Sequence, residues 1–415
     1  MIRKFLPNIL IALLSVLVTY VASDIGYRIY RRYKIASEYT EYYFQGIDQP
    51  VYLFDEQIGY RYKPNSKVLY ANFDKTNDVL QSNHFNVNNM GHISPTDDTV
   101  AKPASEFRIG ILGDSFTASI HNDTPWPSLL EQRLNADDNL KIKLGVSSFK
   151  VINFGMDGTG IVQWPSVVSN EVLRFNPDLL IVNFITDDIT RRFLWRISVK
   201  PPRSNGDYYL GLMCSTLPAT LENRDCAVLK MITFNTPLFD DRNQLSRIKR
   251  EIYDEESARI DWLSFYPELL ARTLGRSLGL RPRLSLSDDE IPYFRTDEEG
   301  IKASTEALRQ IKSLFPHTLI LHIPMYVELR PGSTPPNVIE TMRTRVRSMQ
   351  RDSSLDIVLM QEHMPDPSDD AEVLSWFKLP WDPHFSNYGA SVYAQAVYGQ
   401  LEERLLQGAT TLHGN

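Results

Sequence analysis

The chain has 415 residues, is 42% hydrophobic and carries a formal net charge of −7. That is enough apolar material for one large domain with insertions or for two ordinary ones. The acidic balance argues against a general nucleic-acid binder, because phosphate recognition calls for a basic face.

At the front, FLPNILIALLSVLVTYVAS (Phe5 to Ser23) runs for 19 residues without a charge, with Arg3 and Lys4 before it and Arg28, Arg31 and Arg32 after it. A helix of about 20 apolar residues crosses the hydrocarbon core, so residues 1–34 are expected to form a single-pass membrane anchor with a basic juxtamembrane segment. A cleavable signal peptide competes with this reading, since Val-Ala-Ser stands before Asp24. The cluster YRIYRRYK by itself would hold the C-terminal side in the cytoplasm. Cys214 and Cys226, with eleven residues between them in a loop-like stretch, point the other way if they close a local disulfide, as an oxidising compartment allows; two unrelated free thiols stay open. A periplasmic or extracellular main domain is the expectation.

Residues 35–105 alternate short aromatic runs with turn signals, as in VYLFDEQIGYRYKPNSKVLY, and read as a β-rich lead-in. From Phe107 the pattern changes to strands alternating with helices. FRIGILG, FKVINFG and PDLLIVNFI are buried-strand runs, and WPSLLEQRLN has helical apolar spacing. The pattern returns with a helix at Ile301 to Phe315, a strand at Thr318 to Met325, a helix around NVIETMRTRVRSMQ, a strand at Leu355 to Met360 and a last helix from Asn387. Such alternation predicts an α/β sandwich with a central parallel sheet, over 106–192 and 299–408. Residues 193–298, without that rhythm, read as an insertion serving as a lid or partner surface, or as a solvated excursion.

In open parallel sheets, sites form at the carboxyl ends of the strands. Ser115 directly follows the first strand and could equally be a helix N-cap. A serine hydroxyl needs a base to become a nucleophile, and WDPHFSNYG supplies Asp382 and His384 just ahead of the last helix. NFGMDGTG (Asn153 to Gly160) follows the second strand, and its glycines allow a turn whose backbone N–H groups face an oxyanion.

Gly-Asp-Ser after the first strand, Asn-x-Gly-x-x-Gly after the second and Asp-x-His before the last helix together resemble the SGNH, or GDSL-type, hydrolase family. The resemblance covers roughly residues 105–405, interrupted by the insertion, and implies a flavodoxin-like sandwich. It makes Ser115 the nucleophile, His384 the base and Asp382 the acid, with the backbone N–H groups of Ser115 and Gly158 in the oxyanion hole and Asp114 as a brace. Two departures stand out. Where the family has Gly-x-Asn-Asp, this chain has ITDD, so Asp187 replaces the oxyanion-binding asparagine and Asp188 follows it. An ionised carboxylate cannot donate, which leaves a protonated Asp187, a substitute donor such as Asn153 or Asn183, or weak catalysis. The second departure is that only Pro383 separates Asp382 from His384.

The resemblance implies an esterase or acyltransferase working through an acyl-enzyme on Ser115, with an acylated carbohydrate, in particular an O-acetylated envelope polysaccharide, or another ester as substrate. A catalytically degenerate glycan- or partner-binding protein and a lipase or thioesterase are the alternatives. Membrane contact is expected through residues 5–23 and an envelope-assembly partner through residues 193–298. No metal or organic cofactor is expected: the cysteine pair has no second pair or nearby histidine, and DDEIPYFRTDEEG lacks the ligand spacing of a calcium loop. His322, inside an apolar strand, is expected to be a core residue, and His121 to line the mouth of the site.

Overall fold

The computed structural model describes residues 11–26, 29, 40–45, 52–73, 79–199, 208–214, 226–235, 296–329, 336–379 and 382–412. The chain divides into two compact units, one of Met1–Tyr42, Ala71–Ser82 and Phe239–Ser287, the other of Tyr43–Tyr70, Asn83–Leu238 and Asp288–Asn415. In the first, helix α1 (11–26) exposes Ile11, Leu13, Leu14, Val16, Leu17 and Val18. Among the described residues no helix is long and apolar enough to cross a membrane, so the expected transmembrane helix finds no support there; residues 5–10 of the apolar run lie outside the described ones.

The second unit contains the α/β domain. Its five-stranded sheet runs in the order β13 (Ile357–Leu359), β12 (Thr318–His322), β8 (Leu179–Phe184), β6 (Glu106–Gly113), β7 (Ser148–Asn153), and every neighbouring pair is parallel. Counted along the chain this is order 2-1-3-4-5, in which the first strand lies at the topological switch point. Parallel strands are covered on both faces and therefore read as continuous apolar runs; β6 is buried from Arg108 to Gly113.

Helical spacing explains the two covers. On one face Ile109 and Ile111 meet Trp126, Leu130 and Leu134 of α3 (Trp126–Ala136) and Tyr393, Val397 and Leu401 of the last helix, Asn387–Leu412. A short helix, α4 (Asp138–Leu144), follows α3. On the other face Leu112 and Leu180 meet Val167 and Val168 of α5 (Trp164–Asn170) and Leu308 and Ile311 of α6 (Asp297–Leu314). Helix α6 begins four residues earlier than its apolar pattern suggested, because Thr296 caps it by accepting from Glu299 N at 3.2 Å and Asp297, Glu298 and Glu299 sit against the positive end of its dipole. The described part of the acidic segment at 288–300 is thus a helix start; residues 288–295 lie outside the described ones.

Strands β2 (Tyr52–Asp55) and β3 (Gly59–Tyr62) form an antiparallel hairpin whose tyrosines join the second core cluster. A six-stranded sheet takes the order β5 (Val79–Val87), β4 (Ser66–Phe73), β1 (Thr40–Gln45), β11 (Cys226–Asn235), β10 (Tyr208–Cys214), β9 (Trp195–Val199). Strands β10 and β11 are antiparallel, with Cys214 directly opposite Cys226. The charged run NQLSRIKREIYDEESARIDWL lies outside the described residues.

Candidate active site

Strand β6 delivers Ser115 by ending abruptly. A Cβ on Gly113 would stand 2.4 Å from the Asn183 carbonyl and 2.2 Å from Thr117 Oγ1, so only glycine lets the strand stop against β8 while the chain folds back into α2 (Ser115–Ala118). The residue that caps α2 is Asp114, not Ser115: its Oδ1 accepts from Phe116 N at 2.9 Å. Ser115 is the first residue of that helix and half-buried, and its hydroxyl is free of any capping duty.

The last helix brings the partner. His384 Nε2 lies 2.7 Å from Ser115 Oγ, and its Nδ1 lies 2.6 Å from Asp382 Oδ1. A carboxylate at Nδ1 fixes the proton there, so Nε2 is the acceptor of the serine O–H. Asp382 Oδ1 also accepts from the His384 backbone N–H at 2.7 Å, the tight turn that the single intervening proline permits. Trp376, Phe377 and Phe385 hold this loop in the core, Ser386 N donates to the Trp376 carbonyl at 2.9 Å, and Asn122 Nδ2 donates to the Phe385 carbonyl at 2.9 Å, tying the loop to the segment after the serine.

Asp382 is 2% exposed. Burial works against its ionisation, but the His121 and His384 imidazoles and the two hydrogen bonds from His384 hold its pKa well below the usual carboxylate range. Tyr70 Oη donates to its other oxygen at 3.2 Å. His121 is 3% exposed and lies beneath the site, with its ring stacked on that of His384 at 4.0 Å. That corrects its expected place at the mouth: Tyr70 packs edge-on against it at 4.8 Å and closes it from solvent. His322 is a core residue as expected, its Nε2 2.9 Å from Thr186 Oγ1.

The second glycine-rich loop is held from outside the α/β domain. Tyr62 Oη donates to Asp157 Oδ1 at 2.5 Å and accepts from the Asp157 backbone N–H at 3.1 Å; Tyr52 Oη donates to Oδ2 at 3.1 Å, and Tyr60 Oη to the Asp157 carbonyl and, at 3.2 Å, to Oδ1. Burial and the facing carboxylate push the Tyr62 phenol up, so it stays a donor. Gly158 follows with φ +73°, a left-handed conformation that glycine adopts without strain.

The amides considered as stand-in oxyanion donors are turned to other work. Asn153 donates to the Ile93 and Ala118 carbonyls and accepts from Gly155 N at 3.0 Å, while Asn183 accepts from Tyr393 Oη at 2.7 Å and donates towards Thr117 Oγ1 at 3.5 Å. Asp187 stands half-buried in the turn Thr186–Ile189 directly after β8. Asp188, fully buried, accepts from Ile185 N at 3.0 Å; burial and the nearby Asp114 raise its pKa against the pull of Arg191. Arg191 Nη1 reaches Asp188 Oδ1 at 2.5 Å, Asp114 Oδ2 at 3.3 Å and the Thr159 carbonyl at 3.1 Å, so one guanidinium joins the serine turn, the glycine-rich loop and the ITDD turn. Sequence reading missed Arg191, Tyr70 and the tyrosines around Asp157; only the i, i+2 pair Tyr60 and Tyr62, which shares one strand face, left a signal.

Among the described residues His121, Asp382 and His384 could hold a metal ion, with ligand atoms within 4.8 Å of one another. Both His384 nitrogens are engaged, one by Ser115 and one by Asp382, which is the arrangement of a proton-transferring base.

The sequence model of the GDSL-like Lipase/Acylhydrolase family matches residues 109–281. The chain carries a GDSL-like lipase/acylhydrolase domain. The match takes in Ser115, Gly158 and Asp187 and stops short of Asp382 and His384, which the fold itself returns to the serine. No curated protein sequence matches. Similar solved structures include the lipase/acylhydrolase from Enterococcus faecalis, at 12% identity over 72% of this chain and 96% of that one, TM-score 0.35. Others are a two-domain esterase active on acetylated mannans, at 13% identity over 74% and 51%, TM-score 0.33, and the Clostridium thermocellum family 3 carbohydrate esterase, at 11% over 73% and 99%, TM-score 0.33. The family match, not these distant likenesses, carries the identification of the GDSL-like domain.

Proposed function

We propose that this protein is a serine esterase working through an acyl-enzyme on Ser115, and the observation that carries the reading is the unbroken chain of contacts Ser115 Oγ to His384 Nε2 at 2.7 Å and His384 Nδ1 to Asp382 at 2.6 Å. Ser115 Oγ attacks the ester carbonyl carbon as His384 Nε2 takes its proton, and Asp382 steadies the imidazolium. The tetrahedral oxyanion is met by the backbone N–H groups of Ser115 and Gly158, while the Arg191 guanidinium pairs with the Asp114 and Asp188 side chains. Collapse expels the alcohol with the proton from His384. A second hydroxyl, of water or of a sugar, gives its proton to His384, attacks the acyl carbon and regenerates the serine.

The finer reading is an O-acetyl ester of an envelope polysaccharide, with transfer to a sugar hydroxyl as the alternative to hydrolysis. It rests on the analogy with exported members of the GDSL-type family and on the anchor-like front of the chain. The apolar run from Phe5 to Ser23 and the exposed apolar side chains of α1 support attachment to a membrane. The opposed Cys214 and Cys226 support a periplasmic or extracellular main domain and a disulfide between them.

Fluorophosphonate labelling of the full chain in detergent tests the core of the reading. Wild type should gain one adduct by intact mass and Ser115→Ala none; a folded wild type that stays unlabelled overturns it. That outcome would favour the second reading, a glycan- or partner-binding protein that has lost turnover, for which Asp187 in the donor's place is the supporting observation. p-Nitrophenyl acetate against the octanoate separates a short-chain esterase from a lipase or thioesterase.

A further inference from the structure

A serine triad needs one imidazole, and this site holds two. His121 comes from the turn just after α2, six residues beyond Ser115, and its Nδ1 stands 3.3 Å from Asp382 Oδ2, the oxygen that His384 does not use. The two rings lie nearly parallel, 29° apart with centroids at 4.0 Å. Around His121 the Tyr70 ring packs edge-on from β4, and Lys378, from the loop before Asp382, donates through Nζ to the His121 carbonyl. A ring nitrogen this deeply buried, with no hydrogen bond of standard geometry among the described residues and a carboxylate directly in front of it, has one partner to turn to.

We propose that His121 is a positioning residue of the active site, a neutral Nδ1–H tautomer that holds Asp382 Oδ2 while its ring supports His384 from beneath. The inference rests on the reading of Ser115, His384 and Asp382 as the reacting group. The chemistry follows from where charge appears. A carboxylate with one free oxygen can rotate away from Nδ1 of the base, so Asp382 is held at both ends: Oδ1 by the backbone and ring N–H of His384, Oδ2 by Tyr70 and His121. When His384 takes the serine proton, the π face of the stacked neutral ring lies against a new cation, a favourable contact. A protonated His121 would repel that cation instead. Burial keeps His121 uncharged, its pKa brought down to about 3 although Asp382 pulls the other way. The groups facing it are Asp382 and His384 from the loop before the last helix, Lys378 from the same loop, Tyr70 from β4 and Asp157 from the loop after β7, and their charges largely offset one another.

Two measurements test this. In wild type labelled with ¹⁵N-histidine, His121 should show the neutral Nδ1–H tautomer from pH 5 to 8; the Nε2–H tautomer or a protonated ring over that range overturns the proposal without reference to activity. In His121→Phe, which keeps an aromatic ring and loses the N–H, kcat should fall by about 10-fold with KM little changed, and the acid limb of the kcat/KM profile should move up by about half a pH unit, since Asp382 loses a donor and holds the His384 proton more strongly. His121→Gln, which returns an N–H, should recover part of the rate. Wild-type kcat and acid limb in folded His121→Phe overturn the proposal. Failure of wild type itself to label with fluorophosphonate is a different result and strikes the triad reading, not the tautomer.

Discussion

Tyr62 donates its phenol to Asp157 over 2.5 Å, across 95 residues of sequence. The hairpin β2–β3 therefore fixes the loop that carries Gly158. Tyr62→Phe removes a buried hydrogen bond and leaves the carboxylate short of a donor, a loss of about 1–3 kcal/mol in stability. Because the loop is expected to aim a backbone N–H at the oxyanion, kcat should fall about 10-fold with KM held. Thermal melts and ester hydrolysis by the same variant check both; unchanged kcat would detach the hairpin from the site.

Asp382→Asn leaves the shape of the site and removes the charge that fixes the His384 tautomer. The expected loss is about 10⁴-fold in kcat, and Ser115→Ala or His384→Ala should abolish fluorophosphonate labelling. Initial rates with p-nitrophenyl acetate measure it, and a loss under about 10-fold would mean that Asp382 does not orient the base.

Arg108 is wholly buried in β6, paired with Glu106 at 2.6 Å and donating to the Phe175, Val100 and Ala101 carbonyls. Arg108→Ala orphans that carboxylate and three carbonyls and should cost about 3–5 kcal/mol. Urea unfolding checks this, with Arg108→Lys expected to rescue little, since an ammonium lacks the guanidinium's fork.

Acid should destabilise the protein before the carboxylates titrate. His121 has its pKa lowered from 6.5 to about 3 by burial, and His322 is lowered by the same cause, so between these limits the unfolded chain binds protons that the folded chain refuses. Stability then falls with falling pH from about 6.5, by up to about 1.4 kcal/mol per pH unit for each histidine. Asp382, held low, adds stability that is present above its unfolded value of 3.8 and disappears only as pH falls through its lower folded value. Urea midpoints from pH 4 to 7 test this; His121→Phe should show a shallower slope than wild type.

The strands of the α/β sheet were legible because each carries a short apolar run, the mark of burial on both faces. Ser115, Asp382 and His384 were legible as motifs, since each sits beside an element end that the local pattern predicts. What stayed hidden depends on closure of the chain. Arg108 reads as a charge at the edge of a strand, yet it is buried among the Val100 and Ala101 carbonyls just before that strand and the Phe175 carbonyl 67 residues on. The Asp157 clasp needs the hairpin to pack onto the glycine loop, and the burial of His121 needs Tyr70 and the last loop to arrive. No local period carries that information.

Ser115 and His384 lie 269 residues apart and meet only through the last helix. During synthesis the serine leaves the ribosome long before its base has been translated, and every intermediate chain holds an inert hydroxyl. On the proposed mechanism, a molecule cut short anywhere before the Asp-Pro-His turn would hold Ser115 without its base, however well its first strands have formed.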